Sequence, residues 1–124
     1  LQCLEYFYHY DWKQACVSAS PQYHLENKLK ETEIYQYFHY VIGGDSVIKN
    51  KPYPDIYLDS IKKLQTTKNI IIEDSPFGIE AGVESGEFVI AIDRGVFTDE
   101  QLSRANLIVT KITPEIILEV SESL

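Results

Sequence analysis

Aliphatic runs alternate with helical patterns along this chain. Asn69-Ile70-Ile71-Ile72 and Phe88-Val89-Ile90-Ala91-Ile92 are uninterrupted apolar stretches. Runs of this kind fit strands of a parallel sheet, buried on both faces. Ala15-Cys16-Val17-Ser18-Ala19 reads as a shorter buried strand that ends in small polar residues. Tyr40-Val41-Ile42 and Leu107-Ile108-Val109 complete the set. Between them the period changes. Leu1, Leu4 and Tyr8 fall at helical spacing, which predicts a helix over 1–13. Ser20-Pro21 reads as an N-cap followed by proline at the first helical position, opening a helix to about Lys30. A short turn over 33–38 follows, and 43–52 is a loop. Pro54 to Leu64, Gly78 to Ser85, Glu100 to Arg104 and Pro114 to Val120 supply the remaining helices. The alternation predicts an α/β fold with a parallel sheet and flanking helices.

Composition narrows the function. A chain of 124 residues with 44% hydrophobic content is one domain, residues 1–124, with a packed core. A net charge of −8 disfavours nucleic acid and an anionic membrane as partners. No apolar run is long enough to span a bilayer, and Leu1 to Tyr10 lacks the basic start of a signal peptide. Cys3 and Cys16 make no disulfide framework, so a reducing cytoplasm is the expected location. His9, His24 and His39 lie among aromatics without metal-ligand spacing and read as structural. The chain opens on Leu1 and contains no methionine, which suggests part of a longer protein.

Ligands of open α/β sheets bind at the carboxyl ends of the strands. Ser18, Ala19 and Ser20 follow the first strand. Lys51 sits on the loop after the second, inside Lys51-Pro52-Tyr53-Pro54-Asp55. Glu73 and Asp74 end the third, and Asp93 and Arg94 the fourth. The serines serve equally as turn and cap residues, or as hydroxyl donors to a phosphate backed by helix N-terminal amides. Lysines are usually solvated, but Pro52 and Pro54 fix two φ angles here and so aim the Lys51 stem. Adjacent carboxylates at the end of an aliphatic strand repel each other and are poorly solvated. A divalent cation such as Mg²⁺ would relieve both penalties, although an exposed acidic loop is the simpler alternative.

These residues, in this order, resemble the haloacid dehalogenase superfamily. The match is to the branch of β-phosphoglucomutase and sugar-phosphate phosphatases. The carriers are VSAS at 17–20, KPYPD at 51–55 and IIIEDSPFGIEAG at 70–82. ANLIVTKITPEII at 105–117 resembles the branch's closing strand and helix. The resemblance implies Mg²⁺-dependent phosphoryl transfer on a small phosphorylated metabolite. Ser18 would hydrogen-bond the phosphoryl group, with Ala19 and Ser20 adding contacts. Lys51 would neutralise charge between phosphate and nucleophile. Asp74 would bind Mg²⁺, with Glu73 beside it or behind it. The family's Asp-x-Asp motif, nucleophile and acid–base together, is absent from this sequence, as is the helical cap. In the family the strand bearing that motif is central. The expected sheet therefore runs 41–42, 15–19, gap, 70–73, 89–92, 107–109. Either an N-terminal segment or a partner would fill the gap, or the two flanking strands would pair abnormally, or the isolated chain would be poorly stable; the chain alone would be inactive. Three other readings stand beside this one. A dehalogenase is disfavoured by the acid pair, and a receiver domain by the order of its residues. The third is a truncated, non-catalytic protein or phosphate-binding module.

Overall fold

A computed structural model describes residues 1–124. In chain order the elements are α1 (Gln2–His9), β1 (Ala15–Val17), α2 (Gln22–Glu31), β2 (Tyr40–Ile42), α3 (Asp55–Leu64) and β3 (Ile70–Glu73). These are followed by α4 (Pro76–Glu84), β4 (Phe88–Ile92), α5 (Asp99–Leu102), β5 (Leu107–Val109) and α6 (Pro114–Glu122). Single 3₁₀ turns occupy Tyr35–Tyr37 and Gly44–Ser46. The α/β architecture is the one the hydrophobic pattern predicts.

The strands form two parallel sheets. β1 pairs with β2, placing Ala15 beside Tyr40 and Val17 beside Ile42. β3, β4 and β5 pair in that order, with Ile71 beside Val89 and Ile90 beside Leu107. β1 and β3 are not hydrogen-bonded to each other. The order β2-β1, gap, β3-β4-β5 is the expected one, and the gap is real. It is an apolar groove of about 500 Å³, walled by Val17 of β1, Ile70 and Ile72 of β3, Phe7 of α1, Leu64 of α3 and Ile117 of α6.

One expectation fails here. Ile70–Ile72 reads as a strand buried on both faces, yet Ile72 is 40% exposed. Ile71 and Glu73 point into the core, whereas Ile72 looks into the groove, where β3 has no neighbouring strand. β3 is the edge strand of its sheet, so the apolar run is not enclosed as it would be between two neighbouring strands.

Helix α3 joins the two sheets. Ile56 and Tyr57 pack in one cluster with Ile42 of β2, Ile71 of β3 and Val89 and Ala91 of β4. A fully buried isoleucine such as Ile56 stabilises the fold by about 1.5–3 kcal/mol. The Tyr40 hydroxyl donates to Asp59 Oδ2 at 2.7 Å, tying β2 to the same helix.

Helix ends also differ from the sequence reading, for local reasons. α1 stops at His9, short of residue 13, because Asp11 adopts a left-handed φ of 63° and Trp12 N–H turns back to the Phe7 carbonyl. α4 begins at Pro76, ahead of Gly78, because the Ser75 hydroxyl accepts the Gly78 N–H. α5 starts at Asp99 behind a capping box of Thr98 and Gln101. Ser20 does not cap α2. Pro21 holds the N-cap position with ψ 144°, and the Asp45 carboxylate accepts the Gln22 N–H at 2.8 Å from the neighbouring loop.

Candidate active site

Lys51 is brought to the carboxyl ends of β1 and β3 by its loop. Asn50 clips that loop down. Its Oδ1 accepts the Lys51 N–H at 2.8 Å, and its Nδ2 donates to the Ala19 carbonyl at 3.2 Å. Gly44 permits this approach: a Cβ there would lie 2.3 Å from Asn50 Nδ2 and 2.4 Å from the Ala19 carbonyl. Gly44 N–H completes the seam by donating to the Ser20 carbonyl at 2.8 Å. The Lys51–Pro52 peptide is cis.

The lysine's ammonium bridges the gap between the sheets. Nζ donates to the Val17 carbonyl at 3.2 Å, at the end of β1. It also donates to Glu73 Oε2 at 2.6 Å, at the end of β3. Both side chains are almost fully buried, at 9% and 7% exposure. The Tyr57 hydroxyl, from α3, donates to the same Glu73 oxygen. Its ring also lies under the ammonium, with the centroid 5.2 Å from Nζ. Burial holds the Tyr57 phenol far above its ordinary pKa, and the Glu73 charge raises it further, so the group is a hydrogen-bond donor at all working pH. Cys16 lies in the same electrostatic neighbourhood. Burial pushes its thiol up and the Lys51 charge pulls it down, with burial the larger effect, which fits its reading as a structural residue.

Asp74 has a different environment. Its carboxylate is half exposed and meets Arg94 Nε at 3.5 Å. Adjacent in sequence, the two acids thus differ in environment: Glu73 is enclosed by Lys51 and Tyr57, and Asp74 faces solvent. No group of three histidine, cysteine or acidic side chains is gathered as a metal cage. One open carboxylate is nevertheless a workable start for Mg²⁺, which completes its shell with water and phosphate oxygens.

Ser18 follows Val17, whose carbonyl receives the Lys51 ammonium. Its oxygen accepts the Ser20 N–H at 3.1 Å, leaving the hydroxyl proton available to an acceptor. Ala19 and Ser20 are exposed at the same turn. The α2 amide expected to back an anion there is already used, because Gln22 N–H is taken by Asp45. His39 Nδ1 accepts the Gln14 N–H, a structural role as expected.

The family model for haloacid dehalogenase-like hydrolases matches residues 1–92. The chain belongs to that family. Among curated relatives, a phosphorylated carbohydrates phosphatase of Thermotoga maritima is 31% identical over 111 residues, covering 87% of this chain and 51% of its own. The bifunctional riboflavin kinase/FMN phosphatase of Arabidopsis thaliana is 37% identical over 81 residues, 63% of this chain and 21% of its own. A β-phosphoglucomutase structure from Clostridium difficile superposes with a TM-score of 0.84 at 28% identity, covering 98% of this chain and 54% of that one. A superfamily hydrolase from Ehrlichia chaffeensis shares the fold at a TM-score of 0.75 and 18% identity, over 98% of this chain and 55% of that one. The chain spans about half the length of the phosphatase from Thermotoga and of both structures. The β-phosphoglucomutase-like resemblance of the sequence is thereby shown. No helix in the structure is long and apolar enough to cross a membrane.

Residues 57 and 78 stand out only in three dimensions. Tyr57 and Gly78 carry no local signal, being ordinary members of helical segments. Arg94 stands after β4, and only the fold shows that it reaches Asp74.

Proposed function

We propose that this chain supplies the phosphate- and cation-binding half of a site for phosphoryl transfer, phosphatase or phosphomutase, on a small phosphorylated metabolite. The observation that carries the reading is the Lys51 ammonium, held between the Val17 carbonyl and Glu73 with Asp74 open beside it. Catalysis of phosphoryl transfer rests on positioning and charge, and a fixed ammonium beside a free hydroxyl and an open carboxylate suits it. Lys51 and Ser18 would contact phosphate oxygens, with Ala19 and Ser20 at the edge of the pocket. Asp74 would hold Mg²⁺, and Glu73 would keep Lys51 in place. Bound Mg²⁺ would neutralise phosphate charge. The relatives named above for phosphatase activity support the substrate class.

The nucleophile would come from outside residues 1–124, on an extended strand in the groove. The groove supports this: its two edges are parallel strands that each lack one partner. Residues of α1, α3 and α6 line it as well. A strand placed there would be apolar on both faces. The alternative, a phosphate-binding module without catalysis, follows from a sequence that carries the phosphate-facing residues Ser18 and Lys51 but no Asp-x-Asp motif.

The test compares this chain with a longer polypeptide that adds such a strand, ending in a carboxylate. With Mg²⁺ and an aryl phosphate, the chain alone is expected to be inactive and the longer protein active. In the longer protein, Asp74→Asn is expected to lower kcat on the order of 100-fold or more. Turnover by residues 1–124 alone would refute the placement of the nucleophile. Unchanged turnover in Asp74→Asn would refute the metal role.

A further inference from the structure

The phenol of Tyr57 poses a question of its own. The side chain is buried in the core cluster, where a phenylalanine would fill nearly the same space. A buried hydroxyl weakens a fold unless it finds a partner. Here its partner is a carboxylate oxygen that already receives the Lys51 ammonium.

We propose that the Tyr57 hydroxyl is a positioning group for Lys51, acting through Glu73. This rests on the proposed role of Lys51 toward phosphate. Glu73 Oε2 takes two donors from separate elements, the ammonium from the 43–52 loop and the phenol from α3. The carboxylate is also walled in by the backbone at Gly78, where even a Cβ would lie 2.2 Å from Oε1. Its rotation is therefore set by the phenol. The ammonium follows. Of its three N–H groups, one goes to Glu73 and one to the Val17 carbonyl. The third is left for an incoming anion. Without the phenol, Glu73 keeps its charge but loses the bond that fixes its orientation, and Lys51 loses its fixed direction.

Tyr57→Phe isolates the effect, because the ring beneath the ammonium and the core packing both remain. Two readouts separate positioning from mere structure. The first is the ¹⁵N–¹H resonance of the Lys51 ammonium. It is expected to be protected from exchange in the parent chain and broadened away in Tyr57→Phe. The second is binding of inorganic phosphate in the presence of Mg²⁺, followed at the Ser18 and Lys51 backbone amides. Tyr57→Phe is expected to weaken it about tenfold, the scale of one hydrogen bond to a charged group. Tyr57→Leu, which also removes the ring, is expected to weaken it further. A protected ammonium in Tyr57→Phe overturns the inference, whatever phosphate does. A phosphate response that is absent from the parent, or unaltered in Lys51→Gln, overturns the functional reading and leaves the ammonium result to decide the role of Tyr57. Should Tyr57→Phe fail to fold, the parent alone decides. A slowly exchanging Tyr57 hydroxyl proton with a cross-peak to the Lys51 ε-methylene supports the inference, and a hydroxyl in free exchange with water overturns it.

Discussion

Lys51→Met is expected to lower folding stability by about 3–5 kcal/mol, the usual consequence of removing one partner from a buried ion pair. The substitution preserves much of the side chain's length and apolar stem, so packing changes little. What changes is Glu73, left as a charge that is 8% exposed with only the Tyr57 hydroxyl for company. Total stability for a domain of this size is about 5–15 kcal/mol, so the loss is a large share of it. Urea unfolding followed by far-UV circular dichroism measures it. Adding Glu73→Gln to Lys51→Met removes the stranded charge and is expected to restore most of the loss. A useful contrast is Arg104, whose guanidinium meets Glu84 at 2.9 Å on the surface. Arg104→Ala is expected to move stability by no more than about 1 kcal/mol. A Lys51→Met protein as stable as the parent would mean that the ammonium and Glu73 are not enclosed together.

The second large effect is at Gly78, in the first turn of α4. A Cβ built there lies 2.2 Å from Glu73 Cδ and Oε1 and 2.4 Å from Oε2. No real Cβ tolerates those distances, and the carboxylate cannot yield without leaving Lys51 and Tyr57. Overpacking alone destabilises by about 1–3 kcal/mol. Alanine's better helix propensity returns at most about 1 kcal/mol. With part of the ion pair's contribution also lost, Gly78→Ala is expected to cost about 3 kcal/mol net. Gly82, in the same helix, provides the comparison. A Cβ there meets side-chain methyls, Val89 Cγ2 at 2.9 Å and Ile71 Cγ2 at 3.3 Å, with no ion pair behind them, so Gly82→Ala is expected to cost less than Gly78→Ala. If Gly78→Ala unfolded at the same urea concentration as the parent, the close seat of Glu73 beneath α4 would be wrong.

These two positions show where sequence reasoning reached and where it stopped. The strands were legible because aliphatic runs such as 70–72 and 88–92 are a local signal of parallel sheets. Lys51 was legible because Pro52 and Pro54 constrain the backbone around it. Glu73 and Asp74 are legible as a pair, but not as one buried and one exposed carboxylate. That division depends on Lys51, Tyr57 and Gly78, which reach Glu73 from separate elements. No periodicity encodes such a meeting. Helix ends failed for a similar reason. Ser20-Pro21 has the form of a cap, but Asp45, brought across from the next loop, does the capping. The exposed Ile72 is the opposite case. Its sequence has the pattern of an inner strand, whereas β3 is the edge of its sheet and the groove beside it leaves Ile72 uncovered.

The pairing of Lys51 with Glu73 has one more consequence, for the order of events at the site. An ammonium already matched by a carboxylate offers an arriving phosphate little net positive charge. Arg94 is likewise matched with Asp74. On a chain of net charge −8, a phosphate dianion would therefore arrive without a counter-charge of its own. A divalent cation bound at Asp74 would change that balance, and the benefit would run in both directions. Whatever factor the cation adds to phosphate affinity, phosphate must add to cation affinity. Under the proposed function the two ligands are thus thermodynamically coupled, each weakly held alone and both held better together.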